Sequence, residues 1–259
     1  MKQQDLLSKS YMKKLESVQK LISISFIFVL LSCGESIQPT LDTLKAEKDV
    51  FESGKSLISL PFDLHDLEEV TVDQNTLLIG VHGSNSRGYE WIYPLQRLNN
   101  DGNMVSFFRW DDNACPNPSI TSLLSLIKKK FNNNPNLNKV ILLGHSYGGL
   151  LAAAFAKAWD MDVPLQIHSI AAPLKGMGII NSICDYKLPD TLKNNIELHQ
   201  WRTIKELDDA FSDLDYDPQE VKILKSKVTR LPETYKGNKL GHNWSISWVA
   251  DEISKEEYS

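Results

Sequence analysis

Residues 144–149 read Gly-His-Ser-Tyr-Gly-Gly, and most of the chemistry this chain can perform centres there. A G-x-S-x-G pattern alone is weak evidence, because glycine and serine are common residues. Its setting is more specific. The aliphatic run Val140 to Leu143 leads into the motif, and the small-residue, Ala-rich stretch 148–159 follows it. That order spells strand, tight turn, helix, with small residues two before and two after Ser146 so that strand and helix can approach closely. Ser146 would sit at the sheet's C-terminal edge with its hydroxyl at a helix N-terminus, placed as a nucleophile. A serine hydroxyl needs a base to take its proton and an acid to orient that base.

The elements that must position these groups are legible as periodic runs. Residues 67–73 read as an edge strand, and 75–83, 104–112, 138–144, 164–173 and 195–203 as further strands. Residues 119–133 carry apolar residues at helical spacing (Ile120, Leu123, Leu124, Ile127, Phe131), with Lys128 to Lys130 as a solvated C-terminal face. Residues 40–53 show a weaker helical pattern, and 245–255 read as a closing helix. Strands alternating with helices, each strand apolar on both faces, imply a mostly parallel central sheet with helices on both faces. The fold class is α/β.

With these elements in place the chain resembles the α/β-hydrolase fold family, especially its lipase and esterase branch. The likeness rests on LLIGVHGSNS (77–86), LLGHSYGGLLAA (142–153), SIAAPLKG (169–176) and KLGHNW (239–244). It implies that His82-Gly83-Ser84 forms the oxyanion loop, with the backbone N–H groups of Ser84 and Tyr147 as the donors. It implies a base after the last strand; of the six histidines only His242 lies there. His168 and His199 fall inside strands as structural residues, and His145 points away from the serine and packs. The acid belongs just beyond residue 203, where Asp208 fits the family pattern better than Asp209, and Asp213 and Asp215 follow further on. The segment 174–194 is long enough for a short lid but not for a full cap domain. The implied reaction is hydrolysis of a small-molecule or lipid carboxylic ester through an acyl-enzyme. A thioesterase, amidase or acyltransferase would use the same triad, and a catalytically silent binding module is the reading from another class. Trp91, Trp110, Trp201 and Trp244 lie near strand ends, as core or as pocket lining.

Other classes are excluded by composition. A net charge of -5 lacks the basic surplus of a nucleic-acid binder. No metal-type Cys/His spacing, dinucleotide fingerprint or phosphate loop is present, so neither metal nor cofactor is expected. Lys13, Lys14 and Lys20 precede an apolar run, Leu21 to Leu31, of signal-peptide length. The run ends in Leu-Leu-Ser-Cys-Gly, which resembles a bacterial lipobox and makes Cys33 the lipidation site. The expected layout is a lipoprotein signal peptide over 1–32, a tether and N-terminal helix over 33–66, and the hydrolase domain over 67–259. Met1 and Met12 are both possible starts. Removing residues 1–32 takes away five lysines and two acids and leaves a net charge of -8. Anionic headgroups would repel such a body, so the lipid must hold it at the membrane of the bacterial cell envelope. Cys115 and Cys184 remain, either free or paired.

The anchor has a direct test. Cys33→Ser should yield uncleaved or unanchored protein that retains its hydrolytic activity, checked by detergent partitioning and an ester assay. Normal processing and membrane retention of that variant would replace the lipobox with an ordinary secretory signal.

Overall fold

Continuous apolar runs build the centre of the molecule because their strands are covered on both sides. The structure is a computed structural model that describes residues 38–257; the expected signal peptide and Cys33 lie outside them. Strands β1 (Leu64–Asp66), β2 (Thr76–Val81), β3 (Asn103–Phe108), β4 (Lys139–His145), β5 (Leu165–Ile170), β6 (Ile196–Arg202) and β7 (Lys227–Arg230) form one sheet. Its order is β1-β3-β2-β4-β5-β6-β7. Only β1 runs antiparallel to its neighbour; every other pair is parallel. A two-stranded ribbon, β8 (Thr234–Tyr235) with β9 (Asn238–Lys239), lies outside the sheet.

Alternation within each strand divides the core. Leu77, Ile79, Val81, Val140 and Leu142 pack beneath α3 (Pro116–Asn133) and α4 (Tyr147–Ala158). Leu78, Ile141 and Leu143 face the other way, under α1 (Val50–Ile58), α2 (Tyr89–Arg97) and α6 (Gly241–Glu257). Gly80 lies on this second face, where a Cβ would come within 3.0 Å of the Trp91 ring. The expected parallel sheet with helices on both faces is what the chain forms. Between β5 and β6 stands one five-residue helix, α5 (Ile179–Ile183), in place of a cap domain. Cys184, at its C-terminal end, is disulfide-bonded to Cys115, the residue that caps α3, which ties this loop to the body.

Three local readings are corrected. Residues 67–73 form a loop and not a strand, and the edge strand precedes them. Val70 and Val72 are solvent-exposed, so the alternation there has no buried face to serve. Leu67 N–H still donates to Val105 O, and the Glu68 carboxylate accepts the Val105 N–H, so a side chain continues the ladder. The N-terminal helix occupies 50–58 and not 40–53, and the preceding segment is packed through buried Leu41 and Leu44. The last helix begins at Gly241, which puts His242 inside its first turn.

Helix α1 seats on the chain just before α2 through a glycine contact. A Cβ on Gly54 would lie 2.4 Å from Tyr89 N and 2.6 Å from Arg87 O, both backbone atoms. Gly54→Ala improves intrinsic helix propensity by about 1 kcal/mol, yet here it should cost about 1–3 kcal/mol through overpacking. Urea unfolding reads the sign. Gly102→Ala, whose Cβ would meet nothing nearer than 3.4 Å, is the neutral control.

Candidate active site

Ser146 joins β4 to α4 with φ 54° and ψ -122°, a conformation that L-residues rarely adopt. Such backbone costs on the order of 1–3 kcal/mol and persists only where surrounding packing fixes it. The packing is plain. A Cβ on Gly144 would lie 2.4 Å from Gly148 O, and one on Gly148 would lie 2.2 Å from Val81 O. The motif glycines let the end of β2, the end of β4 and the start of α4 touch. Tyr147 N–H opens α4 and is one of the donors that a helix start leaves without an intrahelical acceptor.

Beside the serine runs the loop 82–86. A Cβ on Gly83 would come within 2.9 Å of the Ser146 Cβ, so only glycine lets the loop pass this close. His82 fastens it. Its Nδ1–H donates to Gly83 O at 2.9 Å, while Nε2 accepts from Arg109. Its carbonyl accepts the Trp110 indole N–H at 3.0 Å. Burial, followed by the Arg109 charge and against the Gly83 contact, lowers His82 to about 4, so the ring is neutral at pH 7. Asn85 N–H donates to Asp112 at 2.7 Å and holds the loop's far side.

On the opposite flank His242 Nδ1 donates to Asp208 at 2.9 Å. Asp208 is fully buried and accepts two further hydrogen bonds, from Thr203 Oγ1 and from Ala210 N–H. Its neighbour Asp209 points outward and pairs with Lys239 at 2.6 Å. Of the two adjacent acids, the structure therefore brings Asp208 to the histidine. His145 does more than pack. Its ring centroid lies 4.5 Å from that of His242, and its Nε2–H donates to His242 O at 3.2 Å. Burial first, then neighbouring His242, holds His145 well below the ordinary histidine range and so uncharged.

Gly83, Ser84, Ser146 and His242 line one cleft of about 290 Å³, together with Tyr89, Glu90 and Asn243. The sheet thus gathers the predicted serine, histidine and oxyanion-loop residues at its C-terminal end. Tyr89 and Glu90 were not foreseen, because nothing in their local sequence sets them apart from helix surface; Asn243 lies in the KLGHNW stretch but was given no role there. Glu90 carries a raised pKa, chiefly from burial, which the Ser86 hydroxyl offsets in part by donating to it. His168 and His199 are structural, as expected: Trp201 Nε1–H donates to His168, and His199 meets Thr229. Trp91, Trp110 and Trp201 are core, whereas Trp244 is 48% exposed. Among the described residues no group of three or more His, Cys, Asp or Glu side chains could hold a metal ion.

No family model matches the chain. A proline iminopeptidase of Saccharolobus solfataricus is 36% identical over 144 residues, covering 49% of this chain and 43% of that protein. The match therefore spans less than half the length of that curated relative. Among solved structures, Est1E from Butyrivibrio proteoclasticus superimposes with a TM-score of 0.50 at 14% identity, over 75% of this chain and 91% of that one. An a/b serine hydrolase without lid from Xanthomonas campestris gives 0.48 at 13%, over 75% and 87%. Strand order, helices on both faces and the Est1E likeness identify the α/β-hydrolase fold.

The lowered pKa of His82 has a consequence for stability. As pH falls below about 6.5, the unfolded histidine takes up a proton that the folded one refuses until about 4. The stabilisation is complete above the unfolded value and is lost through that window. His82→Gln should flatten the fall in urea-unfolding free energy between about pH 7 and about pH 4.5. Parallel curves for the two proteins would remove His82 from the account.

Proposed function

We propose that the protein is a serine hydrolase that cleaves carboxylic esters through an acyl-enzyme. One observation carries the reading: a serine held at positive φ opens into the same cleft as a histidine whose other ring nitrogen is tied to a buried carboxylate. In this mechanism Ser146 Oγ attacks the acyl carbon while His242 Nε2 takes its proton. Asp208 holds the Nδ1–H tautomer and stabilises the imidazolium that forms. The Ser84 and Tyr147 N–H groups receive the negative charge that develops on the carbonyl oxygen, a contribution of about 10²–10³ in rate per donor in comparable sites. His242 then returns the proton to the leaving alkoxide. A water molecule, deprotonated by the same base, releases the acid and restores the serine.

A second reading has its own support. The curated relative is a proline iminopeptidase, and the cleft contains the carboxyl of Glu90, a group able to receive a substrate ammonium. Comparing a p-nitrophenyl ester with proline p-nitroanilide separates the two, because the first releases p-nitrophenolate and the second p-nitroaniline, each followed by its own absorbance. The likeness of the sequence ending in Cys33 to a lipobox supports a proposal that the protein is attached to the bacterial cell envelope, at the outer membrane or the periplasmic face.

Ser146→Ala and His242→Ala should each remove nearly all ester turnover, and the double variant should be no worse than either alone. Asp208→Asn should lower kcat by on the order of 10⁴ by favouring the wrong tautomer. Asp209→Asn should stay within about twofold of wild type, as expected of an exposed side chain outside the cleft. Circular dichroism checks that each variant is folded. Additive losses, or a larger effect at Asp209 than at Asp208, would refute the assignment.

A further inference from the structure

The cleft does not end at the serine. Tyr89, Glu90 and Asn243, which wall it, also line a neighbouring groove of about 460 Å³. The walls of this groove are largely aromatic and come from separate elements: Phe51 on α1, Tyr89 and Tyr93 on α2, Tyr235 on β8 and Trp244 on α6. Phe51 and Trp244 are 61% and 48% exposed. Large rings left in water around one depression mark a surface that something apolar covers.

Contacts within the groove orient these rings. Tyr93 and Tyr235 both donate their hydroxyls to Asp251 at 2.6 Å, and Arg97 Nε–H donates to the same carboxylate at 3.2 Å. Lys236 Nζ sits 4.6 Å and 4.8 Å from the centroids of the two tyrosine rings, and lies 3.8 Å from Asp251. Phe51 meets Tyr89 edge-on at 5.0 Å, and Tyr235 meets Trp244 edge-on at 5.8 Å. With the tyrosine hydroxyls bonded and the lysine and arginine paired with Asp251, the groove offers ring faces and edges and no uncompensated cation; the carboxyl of Glu90, at its border with the cleft, accepts the Ser86 hydroxyl. Rings oriented in advance bind a flat apolar group at little ordering cost, and they make edge-to-face contacts that an alkyl chain cannot.

We propose that this groove is a substrate subsite for an uncharged aryl group, and that the preferred substrate is an ester carrying such a group a few bonds from the scissile carbonyl. The proposal rests on the reading of Ser146 as nucleophile. The occupant follows from continuity: a group in the groove lies directly beside the cleft that holds the serine, and the volume suits one small-molecule moiety.

The test compares ethyl 3-phenylpropanoate and 3-phenylpropyl acetate with ethyl hexanoate and ethyl acetate. At least one aryl ester should exceed ethyl hexanoate about tenfold in kcat/KM. Phe51→Ala and Trp244→Ala should each lower the ratio of that aryl ester to ethyl acetate about tenfold, which corresponds to about 1.4 kcal/mol. Val72→Ser, an exposed apolar position outside the groove, should leave the ratio unchanged. Equal kcat/KM for aryl and alkyl esters, or an unchanged ratio in both groove variants, overturns the proposal. Titrating ethyl 3-phenylpropanoate into Ser146→Ala protein separates the two readings, with tryptophan fluorescence as the signal. Saturable quenching that Phe51→Ala weakens supports the aryl subsite even if the wild type hydrolyses no ester, which would defeat only the hydrolase reading. Ester turnover without such quenching defeats the subsite alone.

Discussion

Three backbone segments meet at one point, and the rest of the site depends on how closely they approach. The end of β2, the end of β4 and the start of α4 are separated by distances that admit no Cβ. At Gly148 an added methyl would sit 2.3 Å from His82 O, and at Gly144 it would sit 2.8 Å from the Ala152 Cβ. This compression turns Ser146 to positive φ and sets the loop at Gly83 against it. Packing across the elbow must offset a backbone cost on the order of 1–3 kcal/mol. The offset is visible in the Ala-rich face of α4, where Leu150 to Ala153 are completely buried.

The second half of the site is governed by electrostatics. A buried carboxylate is tolerated only when its lone pairs are used. Asp208 meets that demand with the Thr203 hydroxyl, the Ala210 N–H and the His242 ring. The same three contacts fix the imidazole, so the arrangement that satisfies the buried carboxyl group also orients the histidine ring. His145 and His82 flank this centre as uncharged rings, because burial disfavours their protonated forms. At neutral pH neither of these two rings places a positive charge beside His242. Helix α6 connects the two regions of interest: its first turn carries His242, and further along Asp251 anchors the tyrosines of the aromatic groove.

Where the information is local, the sequence carried it. The aliphatic runs named β2 to β6 to within a few residues, because a strand covered on both faces leaves an uninterrupted signal. The elbow was legible because its geometry demands small residues at fixed spacing. Residues 67–73 misled because alternation reports an opportunity for burial, and here no layer stands over Val70 and Val72. Asp208 was preferred to Asp209 on the family pattern; that its side chain faces inward while that of Asp209 faces outward is a property of the loop's path and not of residue type. The groove was invisible for a related reason. Phe51, Tyr89, Tyr235 and Trp244 come from four elements, and only the packing of α1 against α2 brings the first two together.

The central claim is that Ser146 is the nucleophile, and covalent trapping tests it most directly. The folded protein would be incubated with a fluorophosphonate, and the intact mass and the modified peptide measured. The account predicts one adduct per chain, on the peptide containing Ser146, and none after Ser146→Ala. An unmodified wild-type protein, or an adduct on any other residue, would contradict it.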